Sequence, residues 1–154
     1  MTAPLALILM PLAAGAATVL WARRNLLVAT ISGTSMHPTH RPGDKLLVRR
    51  LPAGRIRAGD IVVADIVAVP AYGAAPSSGP APSRVVSRVV KRVAAVPGDP
   101  VPASVPRRAG ETSVPEGCLV LLGDNPGQSL DSRRFGYVPA TDVVGKVVGA
   151  LTGG

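Results

Sequence analysis

The chain has 154 residues, 17 Lys+Arg against 9 Asp+Glu, 47% hydrophobic but only 3% aromatic residues, 17 Gly, 16 Pro and one Cys. That length fits one domain. The lone Cys excludes an internal disulfide framework and a Cys-rich zinc site, and two His argue against a metal enzyme, so no cofactor is expected. The Gly and Pro content points to strands, turns and loops rather than a helical bundle.

The net charge of +8 is unevenly placed. Residues 1–22 carry no charged side chain, and Ala3–Ala22 has Thr18 as its only polar one. About 20 apolar residues suffice to cross a bilayer core as a helix. Trp21 suits the interface, and Arg23 and Arg24 mark the water boundary. The sequence therefore predicts a transmembrane anchor at 1–22 and a domain over 23–154. A cleavable secretory peptide fits less well, since no basic n-region precedes the apolar run and that run exceeds the usual ~7–15 residues. A buried core helix fits less well too, because the stretch is apolar on every face. Positive-inside counting would leave the domain in the cytoplasm, but a long following segment translocates largely regardless of charge.

The remainder reads as β-rich. Strands are predicted at Lys45–Val48, Ile61–Val69, Val85–Val96, Cys118–Leu122 and Val143–Val148, bounded by turn signals such as Arg41-Pro42-Gly43-Asp44, Ala58-Gly59-Asp60, Pro97-Gly98-Asp99 and Gly123-Asp124-Asn125. Residues 70–83 are uncharged and low in complexity, and read as a mobile surface loop.

Candidate chemistry begins at Ser32-Gly33-Thr34-Ser35-Met36-His37-Pro38-Thr39. A serine nucleophile needs a base. His37 lies two residues from Ser35 and would share its side of an extended segment, but no acid accompanies it to complete a triad. A lysine is the other choice. The chain holds 14 Arg and three Lys, so each Lys merits scrutiny. Lys45 and Lys146 sit at strand beginnings and read as solvated. Lys91 shares a face with Val85, Ser87, Val89 and Val93 on period-2 alternation, while Arg88 and Arg92 share the other with Val86 and Val90. A lysine projecting from an apolar face loses charge stabilisation, which lowers its pKa and frees a neutral amine for general-base work. Arginine cannot do this.

Four segments in order then resemble the type I signal peptidases, the Ser-Lys endopeptidases of the S26 class: Ser32–Thr39 followed by Arg41-Pro42-Gly43-Asp44; Gly59-Asp60-Ile61-Val62-Val63; Lys91-Arg92-Val93 with Pro97-Gly98-Asp99; and Gly123-Asp124-Asn125 with Ser129, Asp131-Ser132-Arg133 and Gly136. The resemblance implies a mainly β fold of curled antiparallel sheets, with Ser35 as nucleophile and Lys91 as general base. It implies that Ser129 orients the lysine, and that Asp131 and Arg133 form a supporting pair. Ile31 and Val90 match positions lining shallow pockets for the small residues of an Ala-X-Ala cleavage site. The Ser35 backbone N–H would supply one oxyanion donor. The hydroxyl that some members place two residues before the nucleophile is missing, since that residue is Gly33. No metal or organic cofactor is implied. Its partners would be preprotein signal peptides and the lipid membrane, with the domain a monomer on the extracytoplasmic side of a cytoplasmic membrane.

Other classes compete. A dedicated S26 maturation protease of the nickel superoxide dismutase type would trim one proprotein. A Ser-Lys self-cleaving repressor would need an N-terminal helix-turn-helix, which this apolar N-terminus is not. A basic membrane-surface or nucleic-acid module would bind through its Arg pairs (23–24, 49–50, 107–108, 133–134). These lack aromatic stacking partners, so nucleic acid is not expected. On an anionic leaflet each nearby basic residue contributes up to ~1 kcal/mol.

Overall fold

The computed structural model describes residues 3–68, 85–107 and 109–151. Helix α1 (Ala3–Asn25) leads into strand β1 (Leu26–Thr30). Then follow β2 (Lys45–Arg49), β3 (Ile61–Ala68), β4 (Val85–Ala95), β5 (Cys118–Leu122), the short helix α2 (Ser132–Phe135), β6 (Val138–Pro139) and β7 (Val143–Ala150). The seven strands form one antiparallel sheet in the order β1-β2-β7-β3-β4-β5-β6. The mainly β expectation holds. The five predicted strands are present within two residues at each end, and β1 and β6 are additions. The loop predicted at 70–83 lies outside the described residues.

The structure does not show the transmembrane reading of 1–22. Among the described residues, no helix is long and apolar enough to cross a membrane. The helix ends on Arg23 and Arg24, whose charges suit the negative pole of its dipole. The Asn25 carbonyl accepts from the Arg50 backbone N–H at 2.8 Å, and the Arg49 guanidinium lies 5.8 Å from the Trp21 ring centroid. These contacts tie the end of α1 to the end of β2.

One turn recurs three times. In Arg41–Asp44, Arg57–Asp60 and Val96–Asp99 the fourth residue's N–H donates to the first carbonyl, at 3.0–3.1 Å. The Asp carboxylate accepts the first residue's N–H at 2.8–3.0 Å. The third residue is Gly43, Gly59 or Gly98, at φ 95°, 91° and 86°. This is the type II turn, whose third position needs a positive φ that only Gly takes without strain. Two of the three turns deliver the chain directly into β2 and β3.

The sheet curls around two apolar layers. Val62 and Ala64 of β3 pack with Val93, Leu119, Leu121 and Val138 on one face. Val63 packs with Ile31, Leu46 and Val48 on the other, against Val90. β3 is thus buried on both faces, which explains its unbroken Ile61-Val62-Val63-Ala64 run. Because Ile31, just past β1, reaches Val90 of β4, the two ends of the curl meet. Four successive antiparallel pairings separate β1 from β4, so these strands run in the same direction. The edge of β4 facing β5 is paired only from Arg92 to Ala95. Among the described residues, Val85–Lys91 carry no strand partner there.

Candidate active site

Ser35 sits in a turn, not in an extended segment. Residues 35–39 form successive turns with a cis His37–Pro38 bond. The His37 N–H donates to the Thr34 carbonyl at 3.1 Å and the His40 N–H to the Met36 carbonyl at 2.9 Å. This corrects the expectation that His37 shares a side with Ser35 by alternation. His37 is exposed. Met36 is 1% exposed and pins the loop into the interior.

Two hydrogen bonds hold the Ser35 loop against the segment after β5. The Asn125 N–H donates to the Ser35 carbonyl at 2.9 Å, and Asn125 Nδ2 to the Thr34 carbonyl at 3.2 Å. A third bond joins Thr39 Oγ1 to Asp124 Oδ2 at 2.5 Å. Asp124 in turn accepts a bidentate pair from Arg92 Nε and Nη2 at 2.8 and 2.7 Å. Arg92 holds the Asp124 carboxyl below its ordinary range, and the Thr39 bond adds to this against the opposing effect of burial. Arg92 Nη1 also donates to the Gly59 carbonyl at 3.0 Å. Sequence reasoning gave no role to Arg92, Asp124 or Thr39. Their one sequence signal is that Arg92 follows Lys91 directly and so must face the opposite way.

Lys91 is opposite Val62 in the β3–β4 register and is 3% exposed. Val93, two residues on, is buried with Val62 as the period-2 pattern requires; a register shift between Val93 and Ala95 then turns Ala95 to a separate cluster with Val120. Burial pushes the Lys91 amine below its ordinary range; Asp131 opposes this and Arg133 reinforces it. Lys146, by contrast, is not simply solvated. Its Nζ pairs with Asp60 Oδ1 at 2.7 Å, fixing the β3 turn to β7.

The segment after β5 wraps around a buried carboxylate. Asp131 is fully buried and accepts from the Gly123 N–H at 2.8 Å and the Arg133 N–H at 3.1 Å. It also pairs with Arg133 Nη2 at 3.3 Å, while that same nitrogen donates to the Gly123 carbonyl at 3.0 Å. Ser132 Oγ accepts from the Leu121 N–H at 2.9 Å. Asp131 also caps α2. Breaking such a buried set leaves unpaired charge and donors, at a cost of about 3–5 kcal/mol. Asp131→Ala is accordingly expected to lower unfolding stability by that amount in urea titration of the detergent-solubilised chain.

Gly123 is where these parts converge. A Cβ there would lie 2.6 Å from the Ser35 carbonyl oxygen and 2.6 Å from Ser129 Cβ. Ser129 is therefore adjacent to Ser35. Its Oγ is buried and has no hydrogen-bond partner, so the implied Ser129–Lys91 bond is not made in this structure. Arg133 Nη1 is likewise buried and unpartnered.

Ser35 and Lys91 line one cleft of about 150 Å³. Its walls are Thr30–Gly33 on one side and Arg88–Lys91 on the other, so Ile31 and Val90 both line it. The geometry brings together a hydroxyl nucleophile and a desolvated amine beside apolar walls.

The family model for signal peptidase, peptidase S26, matches residues 3–106 and 100–151. Signal peptidase I of Bacillus caldolyticus is 30% identical over 152 aligned positions, covering 76% of this chain and 74% of that protein. Mitochondrial inner membrane protease subunit 1 of Xenopus tropicalis is 35% identical, covering 78% and 65%. The Schizosaccharomyces pombe subunit 1 is 32% identical, covering 79% and 70%. The chain belongs to the S26 signal peptidase family.

Proposed function

We propose that this chain is a membrane-bound serine endopeptidase that removes signal peptides from exported preproteins after small residues. The observation that carries the reading is the single cleft shared by Ser35 and the buried Lys91. Ser35 Oγ attacks the scissile carbonyl carbon while the neutral Lys91 amine takes its proton. The tetrahedral oxyanion is held by the Ser35 backbone N–H. On collapse the C–N bond breaks and Lys91 returns its proton to the leaving amine. A water, deprotonated by Lys91, then cleaves the acyl ester and restores Ser35. Ser129 Oγ is an available acceptor for the Lys91 ammonium, and Asp131 and Arg133 support that wall. Such contacts often tighten only once substrate is bound.

The substrate would enter as a strand. The part of β4 that lines the cleft, Arg88–Lys91, has no partner on its β5 side among the described residues, and an extended peptide laid along it gains main-chain hydrogen bonds. Alternate side chains would point toward Ile31 and Val90, whose apolar walls leave room for Ala rather than bulk. Because β1 leaves α1 and runs parallel to β4, a peptide coming from the α1 end reaches Ser35 last. That order suits a signal peptide whose apolar part stays in the membrane beside α1. Membrane attachment rests on the apolar 1–22 stretch.

The test is cleavage of a secretory preprotein by the detergent-solubilised chain, with the new N-terminus sequenced. Cutting after Ala-X-Ala is expected. Cutting restricted to one proprotein, with ordinary preproteins untouched, would favour a dedicated maturation protease. No cutting of any preprotein would sink the reading.

A further inference from the structure

The sequence carries four Arg pairs, and the fold brings two of them to one corner. Arg23 and Arg24 lie in the last turn of α1, Arg49 closes β2 and Arg50 follows it. The Arg50 N–H donates to the Asn25 carbonyl at 2.8 Å, and Arg49 is opposite Leu26 in the β1–β2 register. Trp21 sits where the two pairs meet. The Arg49 guanidinium lies 5.8 Å from its ring centroid. Arg24, three residues on from Trp21, shares its side of the helix. Asn25 Nδ2 donates to the Trp21 carbonyl at 2.8 Å and fixes the helix end.

The charge at this corner is not neutralised from within. Among the described residues, no carboxylate forms an ion pair with Arg23, Arg24, Arg49 or Arg50. The carboxylates are engaged elsewhere: Asp60 by Lys146, Asp65 by Arg88, Asp124 by Arg92 and Asp131 by Arg133. Asp142 lines a groove with Arg50, so Arg50 is the most nearly neutralised of the four. Two full charges at the end of α1 outweigh the partial negative pole of the helix. Arginine keeps its charge at every physiological pH, so the corner attracts anions throughout that range. Apolar surface lies beside the charge: Leu20, Trp21 and Val28 are each about half exposed. Val28 shares with Leu26 the face of β1 that meets Arg49. A free phosphate or a nucleic acid would use only the cationic half of this surface, whereas a phospholipid uses both.

We infer that this corner is a binding site for the headgroup of an anionic phospholipid. Arg24 and Arg49 donate to its phosphate, and its acyl chains lie over Leu20, Trp21 and Val28. The inference rests on the membrane attachment proposed above and not on the peptidase chemistry. It adds a preference for lipid charge to an attachment that the apolar stretch alone would leave indifferent to charge.

Trp21 is the one Trp of the chain, so tryptophan fluorescence reports on this corner alone. The full chain in detergent micelles is titrated with phosphatidylglycerol or phosphatidylcholine carrying the same brominated acyl chains. Quenching is read against the same sample without lipid. The shared chains cancel the contribution of the apolar stretch. The wild type is expected to bind phosphatidylglycerol about tenfold more tightly, the scale of two arginines beside an anionic headgroup. Arg24→Gln/Arg49→Gln is expected to bring that ratio close to one. Arg24→Gln alone is expected to shrink it severalfold, and it leaves β2 and the Arg49–Trp21 contact intact if the double variant fails to fold. Arg107→Gln/Arg134→Gln removes the same charge from other parts of the chain and is expected to keep the ratio. Equal affinity for the two lipids, a preference that the corner variants leave unchanged, or one that the control pair removes as fully, overturns the headgroup site and leaves the attachment and the peptidase reading standing. Displacement of the lipid by inorganic phosphate beyond that by chloride at equal ionic strength assigns the corner to a free anion and overturns the lipid. Quenching by neither lipid overturns the membrane attachment and the headgroup site together.

Discussion

Alanine at Ser35 is expected to reduce kcat/KM for a preprotein by a factor on the order of 10⁴ to 10⁶, and alanine at Lys91 by about as much. The double variant is expected to be no worse than either single one, because the two groups act on one proton. Additive losses in single-turnover cleavage would mean that the pair does not act as a unit. The pH profile carries a separate sign. The base works as a neutral amine, so activity rises with pH through the Lys91 pKa. Burial has lowered that pKa, which places the rise below the ordinary lysine range. Arg133 contributes to the lowering, so Arg133→Met is expected to move the rise to higher pH. A profile that Arg133→Met leaves in place would disconnect Lys91 from the rate.

Gly123→Ala is expected to be the most damaging change that touches no reacting group. Its Cβ would sit 2.6 Å from the Ser35 carbonyl oxygen and from Ser129 Cβ. A carbon cannot occupy that space unless one neighbour shifts by roughly an ångström. The Ser35 carbonyl is main chain and is already held by the Asn125 N–H, so it can move only by taking the nucleophile with it. Overpacking of this kind costs about 1–3 kcal/mol of stability, and an ångström of misplacement at the nucleophile costs about 10²-fold in rate. The companion Gly123→Ala/Ser129→Gly removes the side-chain half of the clash and keeps the main-chain half. Thermal unfolding is expected to recover partly in the double variant while kcat remains low. Full recovery of kcat would show that the clash with Ser129, not displacement of Ser35, limits the single variant.

The two predictions probe different supports of one cleft. Lys91 depends on the sheet, because its place on β4 opposite Val62 of β3 buries it. Ser35 depends on a loop that no ladder holds. Its position is set by Asn125, by Thr39 through Asp124 and Arg92, and by the absence of a side chain at Gly123. Rigid placement of Ser35 therefore comes from the far side of the chain, 85 residues from Thr39 in the case of Asp124.

Much of this was legible in the sequence because its signals are local. β-branched runs bounded by turn residues gave five strands. The three Gly-Asp turns are written in their own four residues, since a type II turn needs only a Gly at its third position. Period-2 alternation put Lys91 on the buried face of β4, and one Lys among many Arg on such a face singles it out without knowledge of its neighbours. The strand β6 escaped because it is only two residues long, and β1 because it continues directly from the apolar run of α1. His37 was misjudged because alternation holds only along extended backbone, and residues 35–39 turn.

What tertiary structure decided was every relation between distant segments. Residues 35 and 91 share a cleft only because the sheet curls until Ile31 meets Val90, and curl is a property of seven paired strands rather than of any one. The pairing of Lys146 with Asp60, the clamp of Arg92 on Asp124, and the unpartnered Ser129 hydroxyl follow from that closure. Composition and spacing fixed which groups the chain carries and which face each takes on its own strand. The physical reason they could go no further is that a strand's neighbours are chosen by burial across the whole sheet, which no local window contains.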